Sequence, residues 1–118
     1  MTGDEVLLRE PSIPTIEVLH LAERGAALSN LCRRFGVRQL DLFGSAVAGD
    51  FDPERSDLDF LVLFQDLAPR DYARAYFGLR EGLADLFERP VDLVTEAGLE
   101  NPYLRQRVDA ERVALYAA

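Results

Sequence analysis

Two short segments of this 118-residue chain hold residue types that act together on phosphate. Gly44 and Ser45 close the apolar pair Leu42 and Phe43, and Asp57 and Asp59 flank Leu58 at the start of a second apolar run. In a strand, positions i and i+2 project to one face with alpha carbons roughly 6.5 Å apart, so the two carboxylates can point at a common site. That arrangement suits hard divalent cations. Two such ions about 3.5 to 4 Å apart, bridged by carboxylates and phosphate oxygens, steady both the attacking and the leaving oxygen of an in-line displacement. Gly44 has no side chain, so a phosphate can approach the backbone there, and Ser45 offers an N–H and a hydroxyl. If Ser45 opens a short helix, as the small residues Ala46 to Ala48 permit, the positive end of that helix adds to the same effect.

Each half alone has an ordinary explanation: Gly-Ser is a common turn, and a pair of aspartates decorates many solvated strand edges. The combination shifts the balance. An acid inside the run Leu58, Phe60, Leu61, Val62, Leu63 has no cheap structural excuse, because a buried charge needs a partner or a metal. Two other acidic readings fail. Asp50, Asp52 and Glu54 begin like a calcium loop, but Arg55 stands where its glycine is needed and Leu61 where its closing glutamate is needed. In a phosphatase-type acid pair the aspartates follow their apolar strand, whereas Asp57 precedes this one and Asp59 sits near its beginning.

The elements that must position these residues follow from hydrophobic spacing. From Thr15 to Phe35 the residues Ile16, Leu19, Ala22, Ala26, Leu28, Leu31, Cys32 and Phe35 recur at helical spacing, with Gly25 a possible break and Gly36 the terminator. Val37 to Phe43 reads as a strand ending at Gly44. Leu58 to Phe64 reads as a strand apolar on both sides of its pleat, which belongs in a sheet covered on both faces. Tyr72, Tyr76, Leu79, Leu83 and Leu86 draw one stripe down a helix between Pro69 and Phe87, and that stripe is expected in the core. Val91 to Thr95 is a third strand carrying Asp92. Asn101 and Pro102 are a cap and first-turn pair that open a helix running to about Val108, and Val113 to Tyr116 is an edge strand. The expected class is α/β (α+β), a small mixed sheet flanked by helices. Pro11 to Pro14 disfavours helix, so an N-terminal arm over 1–14 and a single domain over 15–118 are expected.

Composition narrows the partners. A formal net charge of -8 argues against direct binding to a nucleic-acid backbone, which is driven by clustered Lys and Arg. It does not exclude a nucleoside triphosphate when a divalent cation sits between carboxylates and phosphates. Apolar residues at 48% and charged residues at 29% are globular proportions, and no apolar run approaches membrane-spanning length. The first ten residues fit neither a signal nor a transit peptide, so a cytoplasmic protein is expected. The lone Cys32 reads as a small apolar residue inside a helix, and His20 as structural.

The run GSAVAGDFDPERSDLDFLV resembles the GSxARGxxxxxSDxDxxV signature of the DNA polymerase beta-like nucleotidyltransferases, most closely their minimal, single-domain members. The later VDLV and PYLRQRV segments keep the family's order. The resemblance implies the polymerase beta-like fold, a triphosphate held by Gly44 and Ser45, magnesium ligated by Asp57 and Asp59, and Asp92 as third carboxylate, deprotonating or orienting the attacking hydroxyl. One departure is plain: Ala48 stands where the signature has Arg, which removes a planar, always-charged phosphate partner. Arg55, in the same loop, is a candidate substitute. Arg105 and Arg107 approach either the phosphates or a partner, or else simply complement a helix dipole, and the latter is the expectation.

Minimal members of this family are often encoded beside an all-helical HEPN partner, the two behaving as a toxin–antitoxin pair in which the nucleotidyltransferase is the antitoxin and transfers AMP from ATP to a tyrosine of the HEPN ribonuclease. The resemblance thus implies a magnesium-dependent protein adenylyltransferase with ATP as substrate and a HEPN-domain toxin as partner. A binding module that occludes its partner without catalysis is the alternative raised by Ala48, and transfer to a small molecule is a third.

Overall fold

The computed structural model describes residues 19–48 and 57–118. The arm over 1–14, the first residues of the expected first helix, and the loop holding Gly49 and Arg55 lie outside the described residues. The order is α1 (Leu21–Arg34), β1 (Val37–Phe43), a single turn α2 (Ser45–Ala48), β2 (Leu58–Phe64), α3 (Pro69–Phe87), β3 (Val91–Val94), a 3-10 segment (Glu96–Glu100), α4 (Pro102–Glu111) and β4 (Val113–Ala117).

The strands form one mixed sheet in the order β3-β2-β1-β4. β1 runs antiparallel to both β2 and β4, and β2 runs parallel to β3. A parallel pair needs a crossover of a dozen or more residues, and α3 supplies it. Register divides the β1 and β2 side chains between two faces. Leu42 opposite Phe60 and Leu40 opposite Val62 look one way, into the principal core with Leu28 and Cys32 of α1 and Leu79, Leu83 and Phe87 of α3. Phe43 opposite Asp59 and Asp41 opposite Leu61 look the other way, where Phe43 and Leu61 pack on Val108 of α4. The doubly apolar run Leu58–Phe64 is therefore covered on both faces, as its composition requires.

The helices follow their sequence signals with three differences. The expected helix is interrupted at His20, which adopts a left-handed conformation (φ 51°) between helical Leu19 and the start of α1 at Leu21. Gly25 does not break α1, and Gly36 (φ 69°) terminates the helix as expected. In α3 the buried face is Ala75, Leu79, Leu83 and Phe87, so Tyr72 lies exposed beside the stripe rather than in it. Tyr72 stands in the first turn of α3, at the margin of the core, with its ring 5.0 Å from that of Phe64. Gly78 and Gly82 face Phe35 and Leu31, where any Cβ would overlap those side chains; the two helices pack closely because α3 is bare there.

α4 runs one turn past the expected Val108, to Glu111. Its start is fixed by Asn101, whose side chain accepts from the Tyr103 and Leu104 N–H groups at 3.0 and 3.3 Å, with Pro102 in the first turn. Such a cap contributes about 1 kcal/mol. Among the described residues no helix is long and apolar enough to cross a membrane.

Candidate active site

Gly44 joins β1 to α2 at φ 79°, a conformation that costs other residues about 1 to 2 kcal/mol. It is required a second time by packing. The position its Cβ would take is filled by the Asp59 carboxylate, so glycine is what lets that acid lie against the loop. The Val47 N–H donates to the Gly44 carbonyl at 3.0 Å and closes the α2 turn, while Ala46 anchors it in the core. α2 is a single turn, so its dipole is slight and individual N–H groups are what it offers an anion. Ser45 is half-buried at its head.

Asp59 occupies the centre of the arrangement. It is the register partner of Phe43 on one side and of Asp92 on the other. Neighbouring strands lie about 4.8 Å apart, so the Asp59 and Asp92 backbones are that close and their side chains share a face. The Leu58 N–H donates to the Pro90 carbonyl at 3.1 Å and pins the start of β2 beside the approach to β3. Asp57 stands two residues before Asp59, exposed at the mouth of the strand. Asp92 is also exposed, and behind it the Tyr76 hydroxyl donates to the Leu93 carbonyl at 2.7 Å, tying β3 to α3.

Burial raises the Asp59 carboxyl above the ordinary aspartate range; neighbouring Asp92 adds to this, Arg107 opposes it, and Asp57 and Glu111 add smaller contributions. These acids crowd one another, and a hard divalent cation is the chemical complement of such a set of oxygen donors. The donor set therefore fits magnesium. Among the described residues no three such side chains are gathered as a metal cage.

Two further residues enter from α4. The Gly44 N–H donates to Glu111 Oε2 at 2.9 Å, and Arg107 places Nη2 3.9 Å from Asp59 Oδ2 and Nε 3.6 Å from Glu111 Oε2. The Arg107 guanidinium also lies 5.9 Å from the centre of the Phe43 ring. The dipole explanation fails for Arg107, because α4 extends to Glu111 and leaves no basic residue in its last turn. It holds no better for Arg105, which pairs with Asp109 at 3.8 Å along the exposed helix and does not touch the acids. Glu111 carries no sequence signal beyond its four-residue spacing from Arg107. His20 lies far along the chain from these elements and pairs with Glu23 at 3.6 Å.

A carboxylate cluster over a glycine-serine turn can bind a cation–phosphate complex and hold a hydroxyl beside it. Known proteins agree with that chemistry. Residues 26–115 match the nucleotidyltransferase domain model. A relative from Methanocaldococcus jannaschii, named as a putative protein adenylyltransferase, is 31% identical over 83 residues, 70% of this chain and 81% of the relative. Protein adenylyltransferase MntA of Thermococcus cleftensis is 38% identical over 71 residues, 60% of this chain and 68% of MntA. Among solved structures, a toxin–antitoxin with AMP-PNP superposes with a TM-score of 0.57 at 28% identity, covering 81% of this chain and 73% of that one. The mixed sheet with helices on both faces is the polymerase beta-like fold, and the chain belongs to the nucleotidyltransferase domain family.

Proposed function

We propose that this chain is a magnesium-dependent protein adenylyltransferase that transfers AMP from ATP to a tyrosine hydroxyl of a HEPN-domain ribonuclease and so serves as its antitoxin in the cytoplasm. The observation that carries the reading is the register pairing of Asp59 with Asp92 beside Gly44, with Asp57 two residues away. Relatives named as protein adenylyltransferases and a toxin–antitoxin neighbour with an ATP analogue support the nucleotide and the class of partner.

In this reading Gly44 and Ser45 hold the triphosphate, Asp57 and Asp59 bind the metal with Asp92 as a third ligand, and Arg55 is a further contact to the nucleotide. Magnesium, when bound, supplies charge neutralisation at the phosphates. Asp92, exposed at the rim, orients the acceptor hydroxyl and takes its proton. The hydroxyl oxygen forms a bond to the α-phosphorus, the bond from that phosphorus to the bridging oxygen breaks, and pyrophosphate leaves. Exposure of Asp92 suits an acceptor presented by another protein.

Incubation with labelled ATP, magnesium and a HEPN-domain ribonuclease tests the reading. Label on a partner tyrosine is expected; a folded enzyme that leaves the partner unlabelled overturns it. Asp57→Asn with Asp59→Asn separates catalysis from occlusion, the reading Ala48 raises. A catalytic antitoxin loses its protection of cells, and an occluding one keeps it.

A further inference from the structure

The contacts of α4 bear on the absent arginine of the loop. Ala48 leaves the phosphate loop without the guanidinium of the signature, yet Arg107 reaches Asp59 from α4. Its side chain is 53% exposed, so it can move; its pairing with Asp59 at 3.9 Å is loose and solvated, worth little as a structural bond. A divalent cation on Asp59 and a guanidinium beside the same oxygen repel, so the two compete for that acid. The phosphate oxygens that would accompany such a cation on Asp59 are a target for the displaced side chain, since Arg binds phosphate through two parallel hydrogen bonds. Glu111 stays behind as the fixed point. Its carboxylate, 26% exposed, accepts the Gly44 N–H at 2.9 Å and lies 3.6 Å from Arg107 Nε, so it sets the loop and the root of the guanidinium together.

We infer that Arg107 is a nucleotide-binding residue of this site, exchanging Asp59 for a phosphate when the metal–nucleotide complex binds, and that Glu111 is the residue positioning both Arg107 and the Gly44 turn. The inference rests on the proposed nucleotidyltransfer, which it deepens by supplying the cation that Ala48 lacks. It makes an unusual demand. Removing Arg107 must strengthen binding of the bare metal, by freeing Asp59, and weaken binding of the metal with nucleotide.

The full chain is titrated with Mn2+ alone, and then with a non-hydrolysable ATP analogue at saturating Mn2+, with a thermal melt of each variant. Arg107→Ala is expected to bind Mn2+ alone a few-fold more tightly and the analogue roughly tenfold more weakly, since a charge-assisted bidentate contact is lost. Arg107→Lys, which keeps the charge without the fork, falls between. Glu111→Gln, which keeps an oxygen for the Gly44 N–H, retains analogue binding better than Glu111→Ala. Both signs are required for Arg107: loss of both affinities, or no change in either one, overturns the exchange. Equal losses in Glu111→Gln and Glu111→Ala overturn the positioning role. Wild-type chain that binds no analogue defeats the proposed function itself, whereas wild-type binding with an indifferent Arg107→Ala defeats this inference alone.

Discussion

Arg112 sets its Nε 2.9 Å from Oδ2 of Asp41, a buried acid in the middle of β1. Gln39 donates to both oxygens of the same carboxylate at 2.9 and 3.0 Å, and Arg112 Nη1 lies 3.4 Å from Asp109. Arg112 separates α4 from β4, so this cluster fixes the point where the chain leaves the helix that carries Arg107 and Glu111 and joins the sheet edge.

Breaking that pair from one side leaves a buried charge without its partner, at a cost of about 3 to 5 kcal/mol. Arg112→Ala is therefore expected to destabilise strongly, moderated by the two Gln39 hydrogen bonds. Asp41→Asn with Arg112→Met removes both charges and should recover much of the loss. Urea unfolding of the single and double variants measures the coupling, and additive losses would show that the pair does not act as one unit.

The glycines of the two long helices divide by their surroundings. A Cβ at Gly25 would meet nothing within 4 Å, whereas one at Gly82 would overlap Leu31. Gly25→Ala should stabilise by about 0.5 to 1 kcal/mol through helix propensity and lost unfolded-state freedom. Gly82→Ala gains the same propensity but forces α3 away from α1, and overpacking of this kind costs about 1 to 3 kcal/mol. Opposite shifts of the melting temperature are expected, and equal shifts would mean that the α1–α3 contact yields at no cost.

The strands, the crossover helix and the loop with its aspartates were legible because their signals are local: period-two and near-3.6 spacing, a cap, a glycine, a motif. The cluster over Gly44 was legible only in half. Asp59 and Asp92 meet through strand register, which the alternation of apolar residues restricts. Glu111 meets Gly44 across 67 positions because α4 folds back over the sheet, and nothing in the spacing of PYLRQRV fixes that angle. Asp41 was hidden for the same reason, since its partner Arg112 lies on the far side of the molecule in sequence. The Tyr72 expectation failed differently: the smaller Ala75 and the terminal Phe87 take the buried face, which a stripe of large residues does not reveal.

Cys32 is wholly enclosed in the principal core, and burial pushes its thiol up to about 12, with Arg33 opposing the shift. The thiolate is the reactive form, so at pH 8 the folded chain should resist iodoacetamide and react only as fast as it opens. Denaturant should release rapid labelling of one thiol per chain. A folded-state rate near that of a free thiol would contradict the enclosed position.

Asp59 and Gly44 touch, and their variants should both abolish nucleotidyl transfer while moving stability in opposite directions. Burial and Asp92, with smaller contributions from Asp57 and Glu111, together disfavour the ionised Asp59 and outweigh the opposing pull of Arg107. Asp59→Asn keeps the shape and removes the charge, so the metal-free chain should melt higher at neutral pH. The sign follows from linkage: a carboxyl raised in the folded state adds stability in acid, where it is protonated, and loses it as pH rises through its folded pKa. The advantage of the amide should thus fade as pH falls through the carboxylate range. Gly44→Ala adds a side chain at φ 79° where the Asp59 carboxylate already lies, so it should melt lower at every pH. Melts of the two variants in chelator, at neutral pH and in acid, distinguish an acid held for its chemistry from one that holds the fold. An Asp59→Asn chain less stable than wild type at neutral pH would place Asp59 among the structural ion pairs.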